Sequence, residues 1–216
     1  MNVPTFYYGG EPYSRIGVGT NGYVVIGGGS SSDVTPFPQT MPNAARPNNV
    51  LAPFWTDLNT TGGGGSSNVI LVNVLTDGDS DWIIVDYESV KNFSNTTTHT
   101  GEIWIRASTK NHTGPAGEQL TYSYGTANAA SGDPGTGINW GAENRDGSSG
   151  KNIPAAPANN TEYRPVLGAP VPGGMVSIPF DIFSNALPGT YHSDASLTSD
   201  QTPGTTIAPV AITVTP

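Results

Sequence analysis

Asp77, Asp79 and Asp81 occupy alternate positions of the segment Thr76-Asp77-Gly78-Asp79-Ser80-Asp81. At that spacing a turn can wrap carboxylate oxygens around a calcium ion. Glu88 falls where a helix-loop-helix calcium site would place its bidentate ligand. However, Trp82 stands where that loop requires glycine, and residues 83–90 alternate as a strand that carries Glu88 away. The pattern therefore predicts either a calcium held by the three aspartates with backbone oxygens or a solvated hairpin turn. A second acidic turn, Glu143-Asn144-Arg145-Asp146, contains its own neutralising arginine. Calcium is the one cofactor these residues call for.

The other chemistry available is stacking. Trp82, Trp104 and Tyr122 fall on runs that read as neighbouring strands, and flat aromatic faces rimmed by polar groups can hold sugars or collagen-like chains. Packing in the core is the competing role for each. No residue is expected to be catalytic. His99, His112 and His192 sit in Thr- or Ser-rich surroundings, and no Gly-x-Ser-x-Gly elbow occurs. Proton transfer needs a positioned base, which loose loop histidines do not supply.

Composition narrows the partners. The 216 residues carry 17 acidic and 8 unclustered basic side chains, a formal charge of −9. That excludes a phosphate-neutralising face for nucleic acid and argues against anionic membrane surfaces. No run approaches a membrane span. Cysteine is absent, which removes disulfides, thiolate zinc and thiol nucleophiles together. A secreted protein of this size without disulfides points to a bacterial source. Sequons at Asn59, Asn92, Asn95, Asn111 and Asn159 arise from an Asn- and Thr-rich composition. No signal peptide opens the chain, which reads as a piece of a longer precursor.

Gly 28 and Pro 19 among short alternating apolar runs predict a turn-rich, all-β fold. Arg15–Gly27 reads as a hairpin about Asn21-Gly22, where both turn positions need positive φ. Gly27–Pro47 reads as a loop, and Leu51–Trp55 as a strand that Pro53 makes an edge or bulged one. Gly62–Ser67 reads as a flexible hairpin tip. Val69–Leu75 pairs with Trp82–Val90, where Ile83, Val85 and Tyr87 alternate with Trp82, Ile84, Asp86 and Glu88. Glu102–Ala107 pairs with Gln119–Tyr124, and Ile138–Gly141 is a last strand. Lys151–Pro172 shows no strand pattern. Met175–Ile182, Gly189–Thr198 and Ile207–Val214 then make a small attached β unit. The expected architecture is an antiparallel, jelly-roll-like β-sandwich over 1–163 and a short β unit over 164–216.

The order of these motifs, Gly19-Thr20-Asn21-Gly22-Tyr23-Val24-Val25-Ile26-Gly27, then Pro47–Leu58 with its Ala52-Pro53-Phe54-Trp55-Thr56-Asp57 centre, then the Trp82–Val90 strand, then Gly137–Gly147, resembles a known domain. It is similar to the nidogen-like β domain that follows the catalytic domain of bacterial subtilisin-like serine proteases. The tail from Leu187 to Val214 resembles the immunoglobulin-like strands that commonly follow it. The resemblance implies a secreted or surface-attached bacterial protein and a protease catalytic domain in the same precursor. It also implies a non-catalytic role in stability, maturation, surface retention or binding of a protein or polysaccharide substrate. Two other readings stay open: a stand-alone adhesive or carbohydrate-binding module, and a filament subunit whose strand Ile207–Val214 adds to a neighbour's sheet.

Overall fold

The computed structural model describes residues 1–63, 67–76, 78, 80–107, 120–125 and 129–165, and the backbone of 189–198 and 205–214. These residues form β1 (Asn2–Tyr8), β2 (Glu11–Val18), β3 (Val24–Ile26), β4 (Val50–Trp55), β5 (Leu58–Asn59), β6 (Val69–Thr76) and β7 (Asp81–Asn92). There follow β8 (Thr98–Ala107), β9 (Leu120–Tyr124), β10 (Asn139–Glu143), β11 (Gly150–Ile153), β12 (Thr161–Tyr163), β13 (Gly189–Thr198) and β14 (Thr205–Val214). One 3-10 turn, Ser31–Asp33, interrupts the strands, and the described residues contain no α-helix. The chain divides into two compact units, Met1–Val171 and Pro172–Pro216.

The first unit is an antiparallel β-sandwich. Sheet one runs β12-β9-β8-β7, with β5 and β6 following one another along the outer edge of β7, and sheet two runs β11-β10-β4-β3-β2. The sheets join at a corner, because β2 pairs with β1 through Glu11–Arg15 and with β3 through Ile16–Val18, while β1 touches β8 at Phe6 and Ala107. Inward residues of both sheets, among them Ile16, Leu51, Phe54, Ile83, Val85 and Ile103, are fully buried in one core. Period-two alternation puts them there, since each successive side chain on a strand leaves by the opposite face.

Tyrosines cross this core. Tyr8, Tyr122 and Tyr124 of sheet one donate their hydroxyls to the carbonyls of Glu143, Gly141 and Pro53 in sheet two, at 2.7, 2.7 and 2.9 Å. The Tyr87 hydroxyl reaches the carbonyls of Gly19 and Tyr23 at 3.0 and 2.9 Å. Where the β4–β10 ladder slips, a carbonyl is left without a strand partner, and a buried unpaired carbonyl costs about 1–3 kcal/mol. A phenol is one of the few side chains long enough to bridge stacked sheets and still donate.

Several expectations are corrected. The strands begin at Asn2, not Arg15, so the β1–β2 hairpin was missed. The turn at Asn21-Gly22 is wider than a two-residue hairpin: Gly19 donates to the Tyr23 carbonyl, and only Gly22 has positive φ, at 76°. β4 is central, flanked by β3 and β10, so Pro53 does not mark an edge. It does mark a bulge, since Trp55 to Ala52 spans one residue more than Asn139 to Gly141 opposite it. β5 and β6 both pair with β7 and not with each other, so they do not form the hairpin expected around Gly62–Ser67, of which residues 64–66 lie outside the described residues; Asn68 Oδ1 accepts from the Lys91 amide at the start of β6. The Pro- and Ala-rich stretch after Gly150 supplies β11 and β12.

In the second unit β13 and β14 pair without a slip from Gly189 with Val214 to Thr198 with Thr205. The expected strand Met175–Ile182 lies outside the described residues.

Candidate functional site

The two outer faces of the sandwich differ. Residues 27–47 fold over the outside of sheet two, where Met41 joins Tyr23, Val25, Val50, Ala52 and Trp55 in a second buried cluster. The segment is fastened by hydrogen bonds from Tyr23 Oη to the Asp33 carbonyl at 2.7 Å and from Trp55 Nε1 to the Thr35 carbonyl at 3.2 Å. Sheet one has no such cover among the described residues, and its outer face is where a ligand can approach.

On that face the register makes three rows. Leu75, Trp82 and Arg106 form one, Asn73, Ile84, Trp104 and Thr121 the next, and Leu71, Asp86, Glu102 and Ser123 the third. Trp82 and Trp104, both partly exposed, meet edge to face with centroids 6.2 Å apart and planes at 65°. Trp104 Nε1 donates to Glu102 Oε2 at 2.7 Å, which fixes the indole beside a carboxylate. Asp86 and Glu102 stand directly opposite each other, with Glu88 two residues along. Like charges so placed repel, and among the described residues none of the three has an ion-pair partner. Burial, then Glu102, then Glu88, pushes the Asp86 carboxyl up to about 6, and its Oδ1 has no hydrogen-bond partner. The arrangement offers apolar ring faces next to acceptors short of donors.

Tyr122 does not join the two tryptophans on this face. It faces the core, fully buried, because Trp104 pairs with Thr121 and a one-residue step along β9 changes the face. Asp77 and Asp79 lie outside the described residues. Asp81 opens β7 as an exposed residue paired with Thr76 and Ala107. Among the described residues no three acidic or histidine side chains come together as a metal site.

His99 also departs from expectation. It lies on β8 and is buried against the Phe54 ring at 5.3 Å, with Nε2 2.9 Å from Asn92 Oδ1. Burial lowers its imidazole to about 4, so it is a neutral core residue. Asn92, one of the sequons, is itself fully buried. His112 lies outside the described residues, and only the backbone of His192 is described.

Two buried carboxylates were not singled out by their chemistry. Asp133 takes hydrogen bonds from Ser94 N and Oγ at 2.7 and 2.5 Å and from Gly135 N at 2.8 Å, which hold it below the usual carboxylate range. Its amide donates to Thr56 Oγ1, so it ties the loop after β7 to the end of β4. Glu143, expected only as part of an acidic turn, is wholly buried and accepts from the Asn43 amide at its Oε2. Asp133 could have been suspected from its Gly- and Pro-rich neighbours, where side chains often cap turns. For Glu143 no sequence signal exists, since its burial depends on a distant loop.

No curated protein and no solved structure matches the chain. Residues 4–164 match the model of a family described as NIDO related, whose domains are typically extracellular and are not known catalytic domains. That match spans most of the chain, from within β1 to the end of β12, and the protein belongs to the nidogen-related family.

Proposed function

We propose that the chain is a non-catalytic binding module of a secreted bacterial protein, holding its ligand on the outer face of β7 and β8. The observation that carries this reading is the pair of partly exposed tryptophans beside the carboxylates of Asp86 and Glu102. Indole faces stack on the apolar face of a sugar ring or on a proline-rich strand, and adjacent carboxylates accept from hydroxyls or amides. The order of sequence motifs supports a parent of the subtilisin-like protease class, with this region and an immunoglobulin-like tail aiding stability, maturation, retention or substrate capture.

Binding to immobilised polysaccharides and to collagen-type peptides tests the platform. Trp82→Ala and Trp104→Ala should each weaken binding about tenfold or more, as truncation of a central aromatic does, while exposed Phe93→Ala should leave it unchanged. Equal binding by all three variants would remove the platform. Deleting the region from a protease precursor should lower the secreted activity if the accessory role holds.

Calcium held by Asp77, Asp79 and Asp81 belongs to the same proposal. A cation held there in the folded state must raise apparent stability, so chelator should lower the thermal midpoint. An identical melt in chelator and in excess calcium would rule it out.

A further inference from the structure

We infer that the free edge of β6 is a self-association surface, at which two copies of this chain join sheet one edge to edge. β6 pairs with β7 through eight consecutive partners without a slip, from Val69 with Glu88 to Thr76 with Asp81. Among the described residues no strand pairs with its other edge. A strand left open normally carries a protective device: a lysine, a proline, a bulge or an inward charge. Val-Ile-Leu-Val-Asn-Val-Leu-Thr has none of these.

Its side chains are also left uncovered on both faces. Leu71 and Leu75 on the outer face are 43% and 51% exposed, and Val74 on the inner face is 49% exposed. One added strand would cover all three, because residues facing one another across an antiparallel pair share a face.

A second copy fits as that strand, for reasons of charge and register. The protein carries a formal charge of −9, so self-association requires a contact free of like charges, and β6 has no charged residue. In an antiparallel pairing the acidic end of each strand, which continues in sequence to Asp77, Asp79 and Asp81, lies against the uncharged end of the other. A parallel pairing would bring the two acidic ends together. With the two-fold axis at Asn73, Leu71 faces Leu75 of the second copy, Val72 faces its Val74, and the two Asn73 amides face each other. An axis at Val72 would set Leu71 against the amide of Asn73. The first register buries the exposed leucines against each other and leaves the lone central polar group with a matching partner.

Sedimentation of the full chain from micromolar to millimolar concentration tests this. The wild type should move from the mass of one chain to that of two. Asn73→Lys and Asn73→Asp each place like charges on the axis and should stay at one, with an unchanged circular-dichroism spectrum. An equimolar mixture of these two variants should regain the mass of two. A wild type that stays single at every concentration, a dimer that survives both substitutions, or a mixture that stays single would overturn the inference. So would a single chain whose β6 amides resist hydrogen exchange along the free edge, since another segment would then be covering it.

Discussion

Replacing Phe54 by alanine should lower the free energy of unfolding by about 3–5 kcal/mol, the cost of deleting a large ring from a close-packed core. Phe54 stands edge-on to Tyr87 and stacked on His99, each at 5.3 Å. It fills space that two glycines leave open: a Cβ on Gly101 would meet its ring at 2.8 Å, and one on Gly22 would meet both its ring and its own carbonyl oxygen. Gly101 lies on β8 of sheet one and Gly22 in the turn that joins β2 to β3 of sheet two, so the ring is gripped from both sides of the core. Small domains are stable by roughly 5–15 kcal/mol, so this one substitution removes a large share. Urea unfolding of the first unit gives the number, with Phe93→Ala, whose ring is 64% exposed, as the comparison. Equal midpoints for the two variants would mean that Phe54 does not join the sheets.

The second large effect is a change in how stability depends on pH when Glu143 becomes glutamine. Burial raises the Glu143 carboxyl from 4.5 to about 7, only partly opposed by the Asn43 amide that donates to Oε2 at 2.9 Å. Its Oε1 has no partner. The folded state therefore keeps a proton between about 4.5 and 7 that the unfolded chain has released. The contribution to stability is complete below that window and lost as pH rises through it. His99 works in the opposite sense. Its folded value of about 4 lies below the ordinary 6.5, so its contribution is complete above 6.5 and lost as pH falls toward 4. Asp86, raised to about 6, acts like Glu143 over a lower range.

Glu143→Gln keeps an acceptor for Asn43 and removes the titration. The new amide group brings a constant cost, because it occupies the place of an oxygen without a partner. The readout is therefore the difference between variant and wild type at pH 4.5 and at pH 8, which should shift in favour of the variant at the higher value by a few kcal/mol. A difference that does not change with pH would show an ordinary, exposed carboxylate.

Much of the fold could be read from local patterning. Ile83, Val85 and Tyr87 alternate with Trp82, Ile84, Asp86 and Glu88, and that alone assigned the inner and outer faces of β7. Apolar runs also located the strands β3, β6, β13 and β14. This reading failed where the pattern was short or polar. β1 and β2 open with Asn2, Pro4, Glu11 and Pro12, and β11 with Gly150 and Lys151; these strands are held by pairing with the rest of the sheet, not by their own apolar content. Pro53 was half legible: it sits at a bulge of β4, as a missing amide favours, yet that strand lies in the middle of a sheet, with the Tyr124 hydroxyl donating to the Pro53 carbonyl from across the core.

The aromatic cluster expected of Trp82, Trp104 and Tyr122 was legible to the same degree. Trp82 and Trp104 were joined by the register, whereas Tyr122 went to the core.

What the sequence by itself determined was the class: strands of period two, glycine turns between them, a negative surface, and a family order of motifs. These are properties of neighbouring residues, and short-range sterics and alternation fix them before any long-range contact forms. What only the tertiary structure decided was which outer faces, edges and polar side chains are covered by distant segments and which are left open. A face is buried or open according to what lies across from it, and for sheet two that is the segment 27–47, for Glu143 a loop a hundred residues away, and for the edge of β6 no described strand at all.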